Sequence, residues 1–95
     1  MATTVSEAGN ASNISASALI CTGAGKLLGI FVASASSTPT IKVWDNTSAA
    51  TNIIANTFTP SAGTFYPLPF RFGTGLYVTI SGTVDCTVSY LGKAD

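Results

Sequence analysis

The chain has 95 residues, of which 46% are hydrophobic and only 8% are charged, and its four basic and four acidic residues cancel. A chain of this length forms one domain around a single core. Binding of a phosphate backbone requires clustered cations, whereas the basic residues here are scattered, so we expect no nucleic-acid partner. The basic residues are Lys26, Lys42, Arg71 and Lys93.

The surface implied by this composition is rich in Ser, Thr, Asn and Gly and poor in charge. Such a surface gives an isolated monomer weak protection against association. We therefore expect the surface to be covered by partner molecules. A small monomer that is lightly charged is the alternative.

No set of residues suited to catalysis or to metal binding stands out. The chain contains no histidine, so a serine nucleophile would lack its usual base. The acidic residues suggest no carboxylate pair, and the two cysteines are too far apart in sequence for a zinc motif. We expect a non-enzymatic protein with no cofactor and no metal. The acidic residues are Glu7, Asp45, Asp85 and Asp95.

The chain also lacks a membrane or secretion signal. Its longest apolar run, residues 27–33, is far shorter than the ~20 residues that span a bilayer. The first twelve residues do not have the basic and apolar regions of a secretory signal. We expect no membrane partner, synthesis in a cytoplasm, and free thiols at Cys21 and Cys86, since disulfides are rare in reducing compartments.

The N-terminal part divides into an arm and a strand. Residues 1–12 have only Val5 as a substantial apolar side chain, which predicts a flexible arm followed by a domain at residues 13–95. The arm either frays or becomes ordered on a neighbouring subunit. Residues 13–21 alternate apolar and polar side chains and predict a strand, which residues 22–25 end as a hairpin turn.

The next two segments predict strands of different character. Residues 26–35 are apolar on both faces at their centre, which predicts an interior strand that is covered on both faces or lies deep in a sandwich. Gly29 suggests close approach by another backbone. Residues 36–39 then interrupt the pattern. In residues 40–46, the alternation places Trp44 on the solvent face together with Lys42. There the ring either contacts a partner or is covered by a neighbouring loop, unless the register of the strand differs from the predicted one.

The middle of the chain is rich in turn residues. Residues 45–48 predict a turn, residues 51–59 a strand, and residues 59–63 a turn with a favourably placed proline. Pro67 and Pro69 each lack an N–H group, which excludes this segment from the centre of a sheet. It is either an edge strand or a crossing between sheets.

The C-terminal part has the clearest pattern. Apolar residues at 76, 78 and 80 and again at 84, 86, 88 and 90 alternate with mainly hydroxyl side chains, which predicts two strands with one buried face. Ser81, Gly82 and Thr83 lie between them, and a glycine accepts a positive φ at no steric cost. We therefore predict an antiparallel hairpin with its turn at Gly82.

Together these segments predict an all-β, single-domain antiparallel β-sandwich. Gly-Thr pairs recur at Gly63, Gly73 and Gly82, which spaces the turn signals by about ten residues. This spacing is typical of short antiparallel strands in a sandwich. We predict about eight strands in a jelly-roll-like arrangement and no substantial helix.

The C-terminal segment, YPLPFRFGTGLYVTISGTVDCTVSYL, resembles the final hairpins of small structural proteins of tailed bacteriophages, of the capsid decoration or cement type. The resemblance covers residues 63–91, and the rest of the chain is similar only in composition. It implies a jelly-roll or related sandwich that forms a dimer or trimer on the outer surface of the capsid and stabilises contacts between major capsid subunits. It also implies a location in the virion. Tail and head-fibre proteins share these sequence features.

Exposed aromatic residues are candidates for the contacts of such a protein, because aromatic side chains are enriched at interfaces. A carbohydrate-binding module is the rival interpretation, in which Trp44, Tyr66 or Tyr77 stacks on sugar rings. The interface candidates are Val5, Trp44, Phe65, Tyr66, Phe70 and Tyr77.

Overall fold

Six antiparallel strands form one sheet in the structure of this protein, a computed structural model that describes residues 9–92 except for the side chain of Ser37. No helix occurs in this described part of the chain. The strands are β1 (Asn10–Ile14), β2 (Ala18–Thr22), β3 (Gly25–Trp44), β4 (Ile53–Phe58), β5 (Thr64–Phe72) and β6 (Gly75–Leu91).

The two long strands, β3 and β6, pair with each other at the centre of the sheet along most of their length. The outer edge of β6 carries β1 beside its C-terminal part and β2 beside its N-terminal part. The outer edge of β3 carries β5 beside its N-terminal part and β4 beside its C-terminal part. Each part of the central pair is therefore flanked by two short strands.

This arrangement divides the sheet into two four-stranded halves. The β5 half contains β1, residues 84–91 of β6, residues 25–35 of β3, and β5. The β4 half contains β2, residues 75–80 of β6, residues 40–44 of β3, and β4. Where the halves join, the pairing shifts between Ser36 and Thr40, and Thr38 and Gly82 have φ angles of 48° and 88°.

One core fills the inner, concave face of the curved sheet. The residues that alternate inward along β3 and β6 from both halves belong to this single cluster, as the two-residue period predicted. The outward positions of β6 carry mainly hydroxyl side chains, whereas those of β3 include Phe31, Lys42 and Trp44. The buried core residues are Leu27, Ile30, Val32, Ile41, Val43, Phe72, Leu76, Val78, Val84, Cys86 and Val88.

The structure confirms the all-β, antiparallel part of the predicted fold. An eight-stranded sandwich or jelly roll is not confirmed, because the described residues form six strands in one strongly curved sheet. Of the two alternatives predicted for the proline-containing segment, the edge strand is the one observed, since β5 pairs only with β3 among the described strands. The turn predicted at residues 59–63 is also confirmed, with Gly63 at a φ of 73°.

The predicted hairpin at Gly82 is wrong. Gly82 lies within the continuous strand β6, where its positive φ bends the strand instead of reversing it. Space also requires a glycine here, since an added Cβ would lie 2.8 Å from the Cα of Pro39. Residues 36–39 likewise do not end a strand, because they form the irregular part of β3 opposite Gly82.

Three predictions about the N-terminal part need correction. The strand predicted at residues 13–21 is two strands, β1 and β2, separated where the Ser17 hydroxyl accepts a hydrogen bond from the Ile80 N–H. β1 also begins at Asn10, inside the predicted arm, and residues 1–8 lie outside the described residues. The turn at residues 22–25 does not close a hairpin, because β2 and β3 both pair with β6 and not with each other.

The close approach predicted at Gly29 is confirmed. An added Cβ at Gly29 would meet the ring of Phe65 and the carbonyl oxygen of Tyr66 on the neighbouring strand β5. The prediction that residues 26–35 are covered on both faces is wrong, because Phe31 of this segment is exposed on the outer face. The strand is interior only in the sense that β5 and β6 flank it.

Candidate functional site

The outer, convex face of the sheet carries most of the large apolar side chains that the core does not use. Phe70 is the exception, because it pairs with the buried Leu27 and therefore lies on the inner face at the edge of the sheet. Five such side chains are 43% to 51% exposed. A single exposed apolar residue is common on a domain surface, whereas several that lie together indicate an interaction site. They fall on different parts of the sheet, which defines separate patches. These residues are Leu19, Phe31, Ile53, Phe65 and Phe70.

The first patch is a row of four side chains across the outer face of the β4 half, named the Trp44 row. Leu19 of β2 pairs with Tyr77 of β6, and Tyr77 pairs with Trp44 of β3. Trp44 pairs with the exposed Ile53 of β4, just after a shift in the register of β3 and β4. Directly paired residues of antiparallel strands lie on the same face with their Cβ atoms about 5 Å apart. The row is therefore a continuous apolar band across four strands.

Trp44 is held in place at the centre of this row. Its indole Nε1–H donates a hydrogen bond of 3.2 Å to the Thr79 hydroxyl, and the Lys42 ammonium lies 4.4 Å from the centre of its ring. The predicted shared face of Trp44 and Lys42 is thereby confirmed. The cation covers part of the ring, and the hydrogen bond fixes the orientation of the remainder.

The second patch lies on the outer face of the β5 half, named the Phe31 face. Phe31 of β3 pairs with Phe65 of β5 on one side and with Thr87 of β6 on the other. The Phe65 ring occupies the space above Gly29 that a side chain would otherwise fill. Two half-exposed aromatic rings therefore lie side by side on the outer face of the sheet.

The remaining predicted interface residues have different environments. Tyr66 is partly buried: its ring lies 5.1 Å from that of Phe58, and its hydroxyl accepts a 2.8 Å hydrogen bond from the Ser61 N–H. Tyr66 therefore packs on the core and holds the preceding turn. Phe70 is exposed at the edge strand β5, where it lines a surface cavity together with Ile53 and Asp45. Val5 lies outside the described residues.

Sequence reasoning did not select three of the exposed apolar residues. Phe31 was assigned to a strand covered on both faces, while Leu19 and Ile53 lie in short strands whose neighbours the sequence does not identify. The alternation within each strand could have placed Leu19 on the outer face, opposite Ala18. Its pairing with Tyr77 depends on strand order, which is a property of the fold.

Asp45 is the best-organised polar group of the described residues. Its carboxylate accepts hydrogen bonds of 2.8 to 3.3 Å from the N–H groups of Gly73, Thr74 and Gly75, in the turn between β5 and β6. Desolvation raises the pKa of Asp45, but the three N–H donors outweigh this effect and hold the pKa below its ordinary value. The group links the end of β3 to the β5–β6 turn. This contact is non-local, whereas the predicted local turn chemistry at residues 45–48 is represented by Asn46, whose Oδ1 accepts a hydrogen bond from the Thr47 N–H.

We expect replacement of Asp45 by asparagine to destabilise the fold by about 1 to 2 kcal/mol at neutral pH, because charge-assisted hydrogen bonds from the turn are lost and the site is partly exposed. A carboxylate whose folded pKa is lowered contributes stability above its unfolded pKa, near pH 4, and loses it as the pH falls through the folded pKa. Urea unfolding of Asp45→Asn and the unmodified protein should therefore converge in acid. Asp85→Asn is the control, and an equal loss there would contradict this role.

The two cysteines are free thiols in different surroundings. Burial, together with the nearby Asp85 carboxylate, raises the pKa of Cys86 to about 11, which keeps this thiol protonated and unreactive at neutral pH. Cys21 is partly exposed. Within residues 9–92, no group of three or more potential ligands is placed to hold a metal ion, and no helix is long and apolar enough to span a membrane.

No protein-family model matches the chain, and no curated protein sequence or solved structure is significantly similar to it.

Proposed function

We propose that this chain is a non-enzymatic structural protein of a bacteriophage virion. In this proposal it acts as a capsid decoration, or cement, protein: a small homo-oligomer that binds the outer surface of the head and stabilises contacts between major capsid subunits. The Trp44 row is the observation that carries the proposal. A continuous apolar band on a solvent-facing sheet is typical of a surface that another protein covers.

The surroundings of the row support a protein partner. The row is bordered by Thr79 and Lys42, so an apolar centre is flanked by polar groups, as in protein interfaces. Trp44 is held by a hydrogen bond and a cation, so little conformational entropy would be lost when a partner binds it. Tryptophan and tyrosine are also among the residues that contribute most to binding energy in interfaces.

The fold that we propose for this function is a jelly-roll-like sandwich. Both long strands bend where the halves join, near Thr38 and Gly82, so each contributes one segment to either half. Counted this way, the single curved sheet contains two groups of four segments around one core, and this count supports the proposal of eight segments. An experimental structure in which the halves lie in one open sheet would contradict this arrangement.

The test begins with the genome around the coding sequence. The proposal expects a major capsid protein gene close by, and heads assembled from that capsid protein alone should bind the purified chain in co-sedimentation. Trp44→Ser removes a central side chain of the row, and Ile53→Ser removes the side chain at one end. Each should weaken binding at least about tenfold. Thr57→Ser, an exposed change on β4, is the control.

The other outcomes separate the competing interpretations. Binding to tails or fibres and not to heads would make the chain a tail or head-fibre component. Binding on a glycan array that disappears in Trp44→Ala would favour the carbohydrate-binding module, for which adjacent Trp44 and Tyr77 rings are the supporting feature. The position of Lys42 over the indole disfavours that alternative, since the cation occupies space that a sugar ring would need.

A further inference from the structure

We propose that a surface cleft between β4 and β5 binds a neutral saccharide, with one sugar ring against Phe70 and its hydroxyl groups on polar side chains from both walls. This activity is additional to capsid binding and does not depend on it, because the aromatic residues of the Trp44 row do not line the cleft. Only Ile53 borders both surfaces.

The cleft exists because β4 and β5 flank the same edge of β3 without pairing with each other in the described sheet. Pro67 and Pro69 have no N–H group to offer another strand, which keeps this side of β5 unpaired. The rings of Phe58 and Tyr66 close the gap at one end, with their centres 5.1 Å apart. At the other end a cleft of about 410 Å³ remains, a size typical of sites for small molecules. Its walls are formed by Asp45, Asn52, Ile53, Ile54, Phe70 and Arg71.

The wall beside β4 is held rigidly. The Asp45 N–H donates a 2.6 Å hydrogen bond to the carbonyl oxygen of Asn52, which closes the loop between β3 and β4. Asn52 has a φ of 64°, a left-handed conformation that costs a residue other than glycine free energy and that is often found at binding sites. The N–H groups of residues 73–75 fix the Asp45 carboxylate. A ligand would therefore meet polar groups that are already in position.

The polar groups of the cleft have unused capacity for hydrogen bonds. Oδ2 of Asp45 accepts only the Gly73 N–H, at 3.0 Å, so it can accept a further donor. The side chains of Asn52 and Arg71 make no hydrogen bond or ion pair with other described residues, which leaves an amide and a guanidinium available. The cleft thus offers both donors and acceptors to a ligand.

The charges of the cleft select a ligand without net charge. Asp45 and Arg71 have opposite charges, so an ion attracted by one of them is repelled by the other. Three N–H donors already offset the Asp45 carboxylate, so the ammonium group of a zwitterion would gain little there. Hydroxyl groups suit both residues, because each hydroxyl can donate and accept.

The apolar residues of the cleft suit the ring of a sugar. The Phe70 side chain is 47% exposed, and Ile53 and Ile54 lie on the opposite wall. The C–H face of a sugar ring can pack against the aromatic ring while the hydroxyl groups at its rim bind the polar side chains. Because the cleft is at the surface and offers few partner groups, we expect a dissociation constant on the order of 1 mM for a single sugar ring.

Titration followed by ¹H–¹⁵N NMR tests the inference at individual N–H groups. The probes are glucose, galactose, mannose and N-acetylglucosamine, each up to about 50 mM, well above the expected dissociation constant. Leucine and inorganic phosphate are the charged comparisons, and a glycan array extends the search to oligosaccharides. At least one saccharide should give saturable shifts at Asn52, Arg71 and residues 73–75.

Variants of the cleft should weaken this binding. Phe70→Ala removes the ring, and Arg71→Met removes the guanidinium while keeping an unbranched side chain. Asn52→Gly removes the amide, and glycine adopts the φ of 64° without strain. Each should weaken binding at least about fivefold. Phe65→Ala is the matched control, because it removes a half-exposed aromatic ring from the same strand outside the cleft and should leave binding unchanged.

The remaining outcomes decide against the inference. No response to any saccharide in the titrations or on the array would overturn it, as would a response to leucine or phosphate alone. Unaltered binding in Phe70→Ala and Arg71→Met would also overturn it, and so would binding that is lost in Trp44→Ala. Far-ultraviolet circular dichroism establishes that each variant keeps its β structure. Capsid binding is measured separately, so either proposal can fail without the other.

Discussion

Replacement of Gly82 by alanine is expected to destabilise the protein by about 2 to 4 kcal/mol. The φ of 88° costs an L-residue about 1 to 2 kcal/mol, and the new Cβ would lie 2.8 Å from the Cα of Pro39, a contact that requires backbone movement. Both effects act where β3 and β6 bend together. Urea unfolding followed by circular dichroism measures the change in the free energy of unfolding.

Gly63→Ala separates the two causes. Gly63 has a similar φ of 73°, but an added Cβ there would meet nothing within 4 Å, so only the conformational cost of about 1 to 2 kcal/mol applies. The difference between the two variants measures the crowding against Pro39. If both variants lost the same free energy of unfolding, the backbone near Pro39 would move to accommodate the new Cβ at no cost. The join between the two halves would then be flexible.

Replacement of Phe72 by alanine is expected to cost about 3 to 5 kcal/mol, the largest loss among these variants. Phe72 is the largest fully buried side chain, and it packs beneath Gly25 at the end of the β5 half. Removal of the ring leaves a cavity that the paired strands cannot collapse to fill. For a domain of this size, such a loss lowers the thermal midpoint by tens of degrees or prevents folding.

Phe70→Ala is the matched control, because it makes the same chemical change two residues away on β5. Phe70 is about half exposed, so we expect a loss of about 1 kcal/mol from its remaining contacts. If the two variants were equally unstable, Phe70 would have to be buried in solution. Another protein chain would then cover this edge of the sheet.

The strands were predictable because the two-residue period reports a half-buried strand directly. Leu76, Val78, Val84, Cys86 and Val88 are all buried as their alternation indicated. The hairpin at Gly82 was not correct, because a glycine with positive φ fits a reversal and a bend equally well. The choice depends on Pro39 and its neighbours, which are far away in sequence and adjacent only in the fold.

The candidate site was predictable to the extent that it depends on single strands. The shared face of Trp44 and Lys42 followed from their spacing of two. The row from Leu19 to Ile53 did not, because it is created by the order and register of four strands that the sequence leaves open. Phe31 was placed in the interior for a related reason: an apolar run does not reveal which of its two faces a second layer covers.

The pairing of β3 with β6 along both halves determines when this protein can fold during synthesis. β3 is complete at Trp44, but the strand that covers its central edge extends to Leu91. Non-local pairing of this kind forms slowly, and neither half holds a complete sheet without both long strands. A nascent chain therefore leaves the ribosome with one edge of β3 unpaired until residue 91 has been added, and we expect chaperones to bind it during translation.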